Sequence, residues 1–197
     1  VRMQKTTSIY DRLIKKGAVM GDNFGLEHVL WFANDLDDAY EEPTFRRNRS
    51  HNYVRAEVEA VRNSVGATEI ANFAKHEISG PGAREFLDNI LAGTIPKPGR
   101  LTLSPMLTKR GKLYGDLTVA CINEEKFFLY GSGAAQAMHQ RWFENFLPKK
   151  GAYYRNRSDD FHGIAISGPN SRELLSKLSR EDVSNQSLKF RDTRETF

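Results

Sequence analysis

The chain has a single cysteine, Cys121, so no disulfide framework is open to it, and a reducing compartment fits a lone thiol set in an apolar strand. It has no apolar run long enough to cross a membrane and no signal-peptide pattern, so no membrane partner is expected. Metal-ligand spacing is missing as well. His28, His51, His76, His139 and His162 are scattered and Cys121 has no partner cysteine, which leaves no metal site. There is no P-loop, no G-x-S-x-G elbow and no zincin motif. A strong charge bias is also lacking: 29 Lys and Arg face 25 Asp and Glu, a net charge of +4. That excess is spread out, and basic residues do not interleave with aromatics on any one element, so a nucleic-acid groove is excluded and an acidic small ligand suits the chain better. The chemistry that remains must come from a carboxylate or a bound cofactor.

What is present is a stretch on which the rest is organised, Leu103–Tyr130. It reads as three strands joined by turns at Lys109-Arg110-Gly111-Lys112 and Asn123-Glu124-Glu125. Leu117, Val119 and Cys121 fall on one face of the middle strand, and Thr118, Ala120 and Ile122 on the other. Both faces are nearly apolar, which predicts a strand covered on both sides. Asp116 stands at its head. A carboxylate there loses solvation unless something hydrogen-bonds to it, so it either caps a turn, pairs with an arginine, or meets a polar ligand at the mouth of the sheet.

With 197 residues, 39% hydrophobic and 27% charged, the chain is long enough for one large or two small domains. Residues 1–50 read as an arm, and 51–197 as the folded body. Within the arm, Ser8–Lys16 predicts a short helix stopped by Gly17. The Gly-, Asp- and Asn-rich run after it carries Phe24, Trp31 and Phe32, which need a surface to pack on, and then the solvated basic run Arg46, Arg47, Arg49. Ser50–Val65 predicts a helix with Val54, Val58, Val61 and Val65 on one face. Lys75–Ser79 predicts a strand, Ala134–Leu147 a helix, and Ala152–Asn156 with Phe161–Ser167 a strand pair. Gly131-Ser132-Gly133 reads as a tight turn, since the third glycine of a dinucleotide fingerprint is missing. The chain begins with Val and ends at Phe197 after a polar run, so a piece of a longer protein is expected.

An internal repeat sets the architecture. Ile78-Ser79-Gly80-Pro81, followed by an amphipathic helix with Arg84, returns as Ile166-Ser167-Gly168-Pro169, followed by a helix with Arg172. Each copy is a strand end, a Gly-Pro turn and a helix, with proline at the first helical turn, where its missing N–H has no partner to lose. Both arginines are expected on the surface. Two copies do not make a solenoid. With three strands in succession between helices, the fold class is α+β (mixed α/β) with antiparallel sheets, not a regular βαβ alternation. His76 and His162 flank strands and read as structural.

At this point the residues carry a resemblance. The segment NSVGATEIANFAKHEISGPGAREFLDNILAG, with TIPKPGR and LTLSPMLTKRGKLYGDLTVA after it, resembles the folate-binding region of the dimethylglycine and sarcosine dehydrogenase family. That region is itself similar to the glycine-cleavage T-protein, an aminomethyltransferase. The Gly131–Trp142 stretch and the second Ile-Ser-Gly-Pro fit too, and the arm resembles the segment that links the flavin half to the folate half in these dehydrogenases.

The resemblance implies a T-protein-like folate-binding fold. It implies tetrahydrofolate as cofactor, and an amine-derived iminium whose carbon tetrahydrofolate takes as 5,10-methylenetetrahydrofolate. FAD is implied only through a flavin domain in cis, and nothing in this chain resembles one. The family's key acid maps onto Asp116, where a fixed carboxylate would orient the pterin and stabilise cationic character as a folate nitrogen attacks. The pterin-lining positions map onto Phe73, Leu103 and Tyr130, with Met106 and Tyr114 as neighbours, Phe73 and Leu103 offering apolar faces and Tyr130 its main chain. The chain ends before the family's later Ser-Tyr-Thr-Gly-Glu stretch, so an incomplete folate site is expected. The implied compartment is the cytoplasm, or the mitochondrial matrix in a eukaryote. Three alternatives stay open: a non-catalytic folate-binding or structural module that partners a flavoprotein, a T-protein-like aminomethyltransferase, and a tetrahydrofolate-dependent methyltransferase.

Overall fold

The computed structural model describes residues 2–196. In chain order the elements are α1 (Tyr10–Lys15), β1 (Ala18–Asn23), β2 (Leu26–Phe32), α2 (Ser50–Asn63), β3 (Gly66–Glu69), β4 (Ala74–Ser79), α3 (Ala83–Ile90), β5 (Arg100–Leu107), β6 (Leu113–Asn123), β7 (Lys126–Gly131), α4 (Gln136–Phe146), β8 (Tyr153–Asn156), β9 (Ile164–Ser167) and α5 (Ser171–Leu178). All three sheets are antiparallel, which makes the fold α+β. Among the described residues no helix is long and apolar enough to cross a membrane.

The chain divides into two compact units, residues 1–72 with 162–178, and residues 73–161 with 179–197. The first unit holds the hairpin together with α2, β3 and β9. In the first unit β1 and β2 form a hairpin whose two-residue loop, Phe24-Gly25, has both φ angles positive (54° and 89°). That loop geometry matches the right-handed twist of the flanking strands. Trp31 is buried with Val19 and Ala33, and its ring stacks on Tyr53 of α2 at 5.2 Å between centroids. So the arm residue that needed a packing surface finds it in its own unit. Glu57 of α2 accepts the Phe32 N–H at 2.9 Å, fastening helix to hairpin. A second two-stranded sheet pairs β3 with β9.

The second unit is built on a five-stranded sheet in the order β5-β6-β7-β4-β8. One face carries the core: Ile78, Leu117, Val119, Cys121, Phe127 and Leu129 from the strands, Phe86, Leu87 and Ile90 from α3, and Phe143 from α4. Alternation along each strand sends these side chains to one side and their sequence neighbours to the other. The 179–196 segment returns to this sheet's β5 edge, where Arg191 O accepts from Leu101 N at 2.9 Å and Gly99 O accepts from Thr193 N at 2.9 Å.

The repeat holds in three dimensions, one copy in each unit. Gly80 and Gly168 occupy equivalent turns with φ of 104° and 116°, where a side chain would strike the Gly151 and Ser64 carbonyls respectively. The structure departs from the sequence reading elsewhere. Strands β8 and β9 do not pair with each other: β8 pairs with β4, and β9 with β3. Strand β6 is fully buried on its core face, while on its other face Ala120 is buried, Thr118 and Ile122 are half-buried, and Asp116 near one end is exposed. Arg84 is not a solvated helix residue. It donates to Glu124 Oε2 at 2.6 Å and to the Pro96 carbonyl at 3.1 Å, and its guanidinium lies over the Phe127 ring.

Candidate functional site

The site grows out of the pleat of β6. Leu117, Val119 and Cys121 point into the core, so Asp116 and Thr118 must point out of the opposite face. Cross-strand register then sets their neighbours. Pro105 of β5 lies opposite Asp116. Leu103 of β5 and Tyr130 of β7 both lie opposite Thr118, one on each side. Large side chains are exposed here: Leu103 is 61% exposed, Phe73 45% and Tyr130 37%. Phe73 enters β4 one residue before the fully buried Ala74, and alternation puts it on the outward face. The result is a sheet face with an apolar and aromatic surface and one carboxylate among it.

Asp116 is neither a cap nor half of an ion pair. Among the described residues none donates a hydrogen bond to it or forms a salt bridge with it, although it is close enough to act electrostatically on His139. Its carboxylate is exposed and its acceptor capacity is open. Burial pushes the Tyr130 phenol up, so that ring is neutral and its hydroxyl is a donor. Tyr130 is a rung in two ladders, opposite Lys75 and Thr118, so its ring is what reaches the open face.

Beyond Tyr130 the same face continues into a polar cluster. Lys75, opposite Tyr130, is buried, and its Nζ donates to the Phe73 carbonyl at 2.9 Å. Glu77, two residues along, accepts from Arg157 at 3.1 Å, and Arg157 also reaches Asp160 at 2.5 Å and covers the Phe161 ring. Phe161 packs edge-on against Phe128 at 5.5 Å. The Arg157 charge is therefore already committed to carboxylates, and the Lys75 ammonium to a backbone carbonyl.

Behind Asp116, on the core side, two imidazoles are buried. His139 of α4 fills the gap left by two glycines: its ring lies 3.3 Å from where a Cβ on Gly115 would be, and 2.7 Å from one on Gly131. His76 packs edge-on against His139 at 5.7 Å, and its Nδ1 lies 3.0 Å from the Tyr154 hydroxyl. Burial is the main cause that lowers both histidines, His76 to about 4, with His139 beside it adding to the effect. Both are neutral at pH 7. Burial likewise pushes Tyr154 above its ordinary value. Only the two glycines, read as gaps in the core face of adjacent strands, would have pointed to His139 from sequence.

Two expected neighbours fall outside this face. Met106 is fully buried because strand alternation separates it from Leu103: it lies opposite Gly115 and faces the core. Tyr114 is displaced by a β-bulge. One step on β5, Met106 to Leu107, spans two on β6, Gly115 to Leu113, and the extra residue turns its ring onto Trp142 at 4.5 Å. The structure thus groups Asp116, Leu103 and Tyr130 on one face with Phe73 at its margin, and sets Met106 and Tyr114 against the core. Among the described residues no group of three or more metal-ligating side chains occurs.

Chemically the face offers a flat apolar surface with an anionic hydrogen-bond acceptor beside it. That combination suits a planar heterocycle that donates N–H groups or gains positive charge. The chain has recognisable relatives. Residues 9–197 match the family model described as the GCVT N-terminal domain. Mitochondrial dimethylglycine dehydrogenase of Mus musculus is 32% identical over 194 residues, covering 97% of this chain but 22% of that protein. An aminomethyltransferase of Chloroherpeton thalassium is 30% identical over 139 residues, 70% of this chain and 38% of the enzyme. The crystal structure of glycine cleavage system aminomethyltransferase T from Bartonella henselae superposes with a TM-score of 0.76 at 19% identity, covering 99% of this chain and 48% of that one. The chain therefore spans less than half the length of each of these proteins, and the family match begins inside the segment read from sequence as a linker.

Proposed function

Given that the chain belongs to the family of the GCVT N-terminal domain, we propose that it provides the tetrahydrofolate-facing surface of a one-carbon (aminomethyl) transferase, with Asp116 as its catalytic carboxylate. The observation that carries this reading is Asp116 itself, exposed beside Leu103 and Tyr130 and, among the described residues, without a hydrogen-bond or ion-pair partner. An isolated acid on an apolar face serves no evident purpose in stability. It serves well as an acceptor for a ligand's N–H groups.

Tetrahydrofolate supplies a nucleophilic amine nitrogen that takes up a one-carbon unit. Leu103 and Phe73 give its flat ring apolar contact, and the Tyr130 ring closes the other side of Thr118. Asp116 orients the ring by accepting N–H, stabilises the positive charge of an iminium donor, and holds a proton on its carboxylate as charge is redistributed. Each of these effects would gain strength as a bound ring covers the carboxylate and excludes water from it. The donor in this reading is an iminium derived from an N-methyl amine, and FAD belongs to a flavin domain that would deliver it in cis.

The test is anaerobic calorimetry of tetrahydrofolate on this chain and its Asp116→Ala variant. The expected loss is about 1–3 kcal/mol, the usual size for a hydrogen bond to a charged group. Unchanged affinity in the variant would make the chain a folate-binding module without a catalytic acid. Absence of binding both to this chain and to a form extended past Phe197 would remove the folate reading.

A further inference from the structure

Two side chains of the Asp116 face stand next to a glycine. Asp116 follows Gly115 on β6, and Tyr130 precedes Gly131 on β7. One ring fills the space that both glycines leave. His139 of α4 puts its Nε2 3.3 Å from where a Cβ on Gly115 would be, and its Cε1 and Nδ1 2.7 and 3.0 Å from one on Gly131. A single imidazole therefore lies against the backbone of both strands, each time one residue from a side chain of the open face. The pleat sends Asp116 and Tyr130 outward and turns the adjoining glycines toward the ring.

Packing alone does not call for an imidazole here. Phe143, one turn further along α4, is fully buried as an apolar ring. His139 is 2% exposed, and among the described residues its Nδ1 has no hydrogen-bond partner. A buried polar atom left unpaired costs free energy that an apolar side chain of the same size would not. Burial disfavours a proton on this ring most strongly, and the Asp116 carboxylate opposes that by favouring the protonated form. The effect is reciprocal, since a proton on the imidazole favours an ionised Asp116. His76 of β4 meets the same ring edge-on at 5.7 Å, with the Tyr154 hydroxyl of β8 at 3.0 Å from its Nδ1. Both are neutral at pH 7, as is Tyr130, so they bring no charge to the ring.

We propose that His139 is a positioning residue for Asp116: it holds β6 and β7 from behind, so that the carboxylate and the Tyr130 ring stand where one ligand can meet both, and it answers the charge of the carboxylate from the core side of the sheet. This role rests on the folate reading of the open face, whereas the contact of His139 with the two strands does not.

A double-mutant cycle separates this role from simple packing. His139→Leu keeps an apolar side chain of similar volume in the gap. Tetrahydrofolate is titrated anaerobically into this chain and into a form extended past Phe197. His139→Leu is expected to weaken binding at least fivefold when Asp116 is present, and less than twofold in the Asp116→Asn background. Equal losses in the two backgrounds, or no loss with Asp116 present, would make His139 part of the packing only and overturn the assignment. A second measurement needs neither ligand nor a change at 139. The protonated fraction of His139 is read from its imidazole nitrogen shifts by NMR, at the lowest pH at which the chain stays folded. It is expected to be smaller in Asp116→Asn than in the wild type, and an unchanged fraction would overturn the assignment. If neither form binds tetrahydrofolate, the folate reading falls, and the NMR comparison alone decides whether His139 and Asp116 act together. The same comparison decides if His139→Leu does not fold.

Discussion

His139 sits in the place of a side chain that Gly131 does not have: its Cε1 lies 2.7 Å from where a Cβ on Gly131 would be. Leu117 Cδ2 lies at the same distance from that point, so the space is closed from two sides. Gly115, on the strand that carries Asp116, lies against the same imidazole with slightly more room, 3.3 Å. Gly131→Ala is therefore expected to destabilise the chain by about 1–3 kcal/mol, the usual cost of overpacking a filled core. Gly115→Ala is expected to cost less, because the nearest atom to the new methyl is the flexible end of Met106 at 3.0 Å. Urea unfolding of the two variants checks the order. Equal losses would show that the ring can move aside.

His76 makes a pH prediction. Its folded pKa is lowered to about 4 from the ordinary value of 6.5, chiefly by burial and further by His139. Neutral His76 is thus favoured in the folded state, and the unfolded chain binds its proton first. The stability this supplies is complete above about pH 6.5, and falls as the pH drops toward about 4. A shift of that size corresponds to about 3 kcal/mol. Unfolding free energies measured between pH 7 and pH 4 are expected to show this decline in the wild type. His76→Phe is expected to flatten it, while lowering stability at pH 7 because the Tyr154 hydroxyl loses its partner.

The sequence was informative where local signals were strong and agreed with the tertiary structure. Polar turns at 109–112 and 123–125 bounded three strands, and the repeated Gly-Pro turn located both strand–helix units. The hairpin at 18–32 was hidden because its turn is Phe24-Gly25. A phenylalanine at positive φ is not a residue that turn statistics favour. Pairing was less legible still. Nothing local to Ala152–Asn156 or Phe161–Ser167 reveals that each finds its partner some 75–100 residues earlier in the chain. At the site, Asp116 stood out because an acid interrupts an apolar run. Met106 was grouped with Leu103 against the period of a strand, and Tyr114 was turned away by a bulge that leaves no mark in composition. His139 acts through two missing side chains, which patterning by hydrophobicity does not register.

Glu27 gives an acid-sensitive prediction for the other unit. Its carboxylate is fully buried at the hairpin, where it accepts from Arg2 Nε at 2.7 Å and from the Met3 N–H at 2.8 Å. The Arg2 hydrogen bond, opposed by burial and aided by the Met3 amide, lowers it to about 2 from the ordinary value of 4.5. A depressed carboxylate stabilises the fold above its unfolded pKa and loses that contribution as pH falls through the folded one. The window is thus about pH 4.5 to 2, below the His76 window, and belongs to a different unit. Acidification is therefore expected to act on the second unit first and on the hairpin later. Protection factors, with the pH dependence of intrinsic exchange divided out, should hold for the Leu26–Phe32 amides at pH 5, while those around Ile78 and Leu129 are already lower there than at pH 7. Arg2→Ala removes the main donor and leaves Glu27 buried, so it is expected to move the hairpin's loss of protection to higher pH and to lower its protection at neutral pH as well. If the variant's hairpin titrates as in the wild type, Met3 alone holds the carboxylate and the arginine contributes nothing measurable.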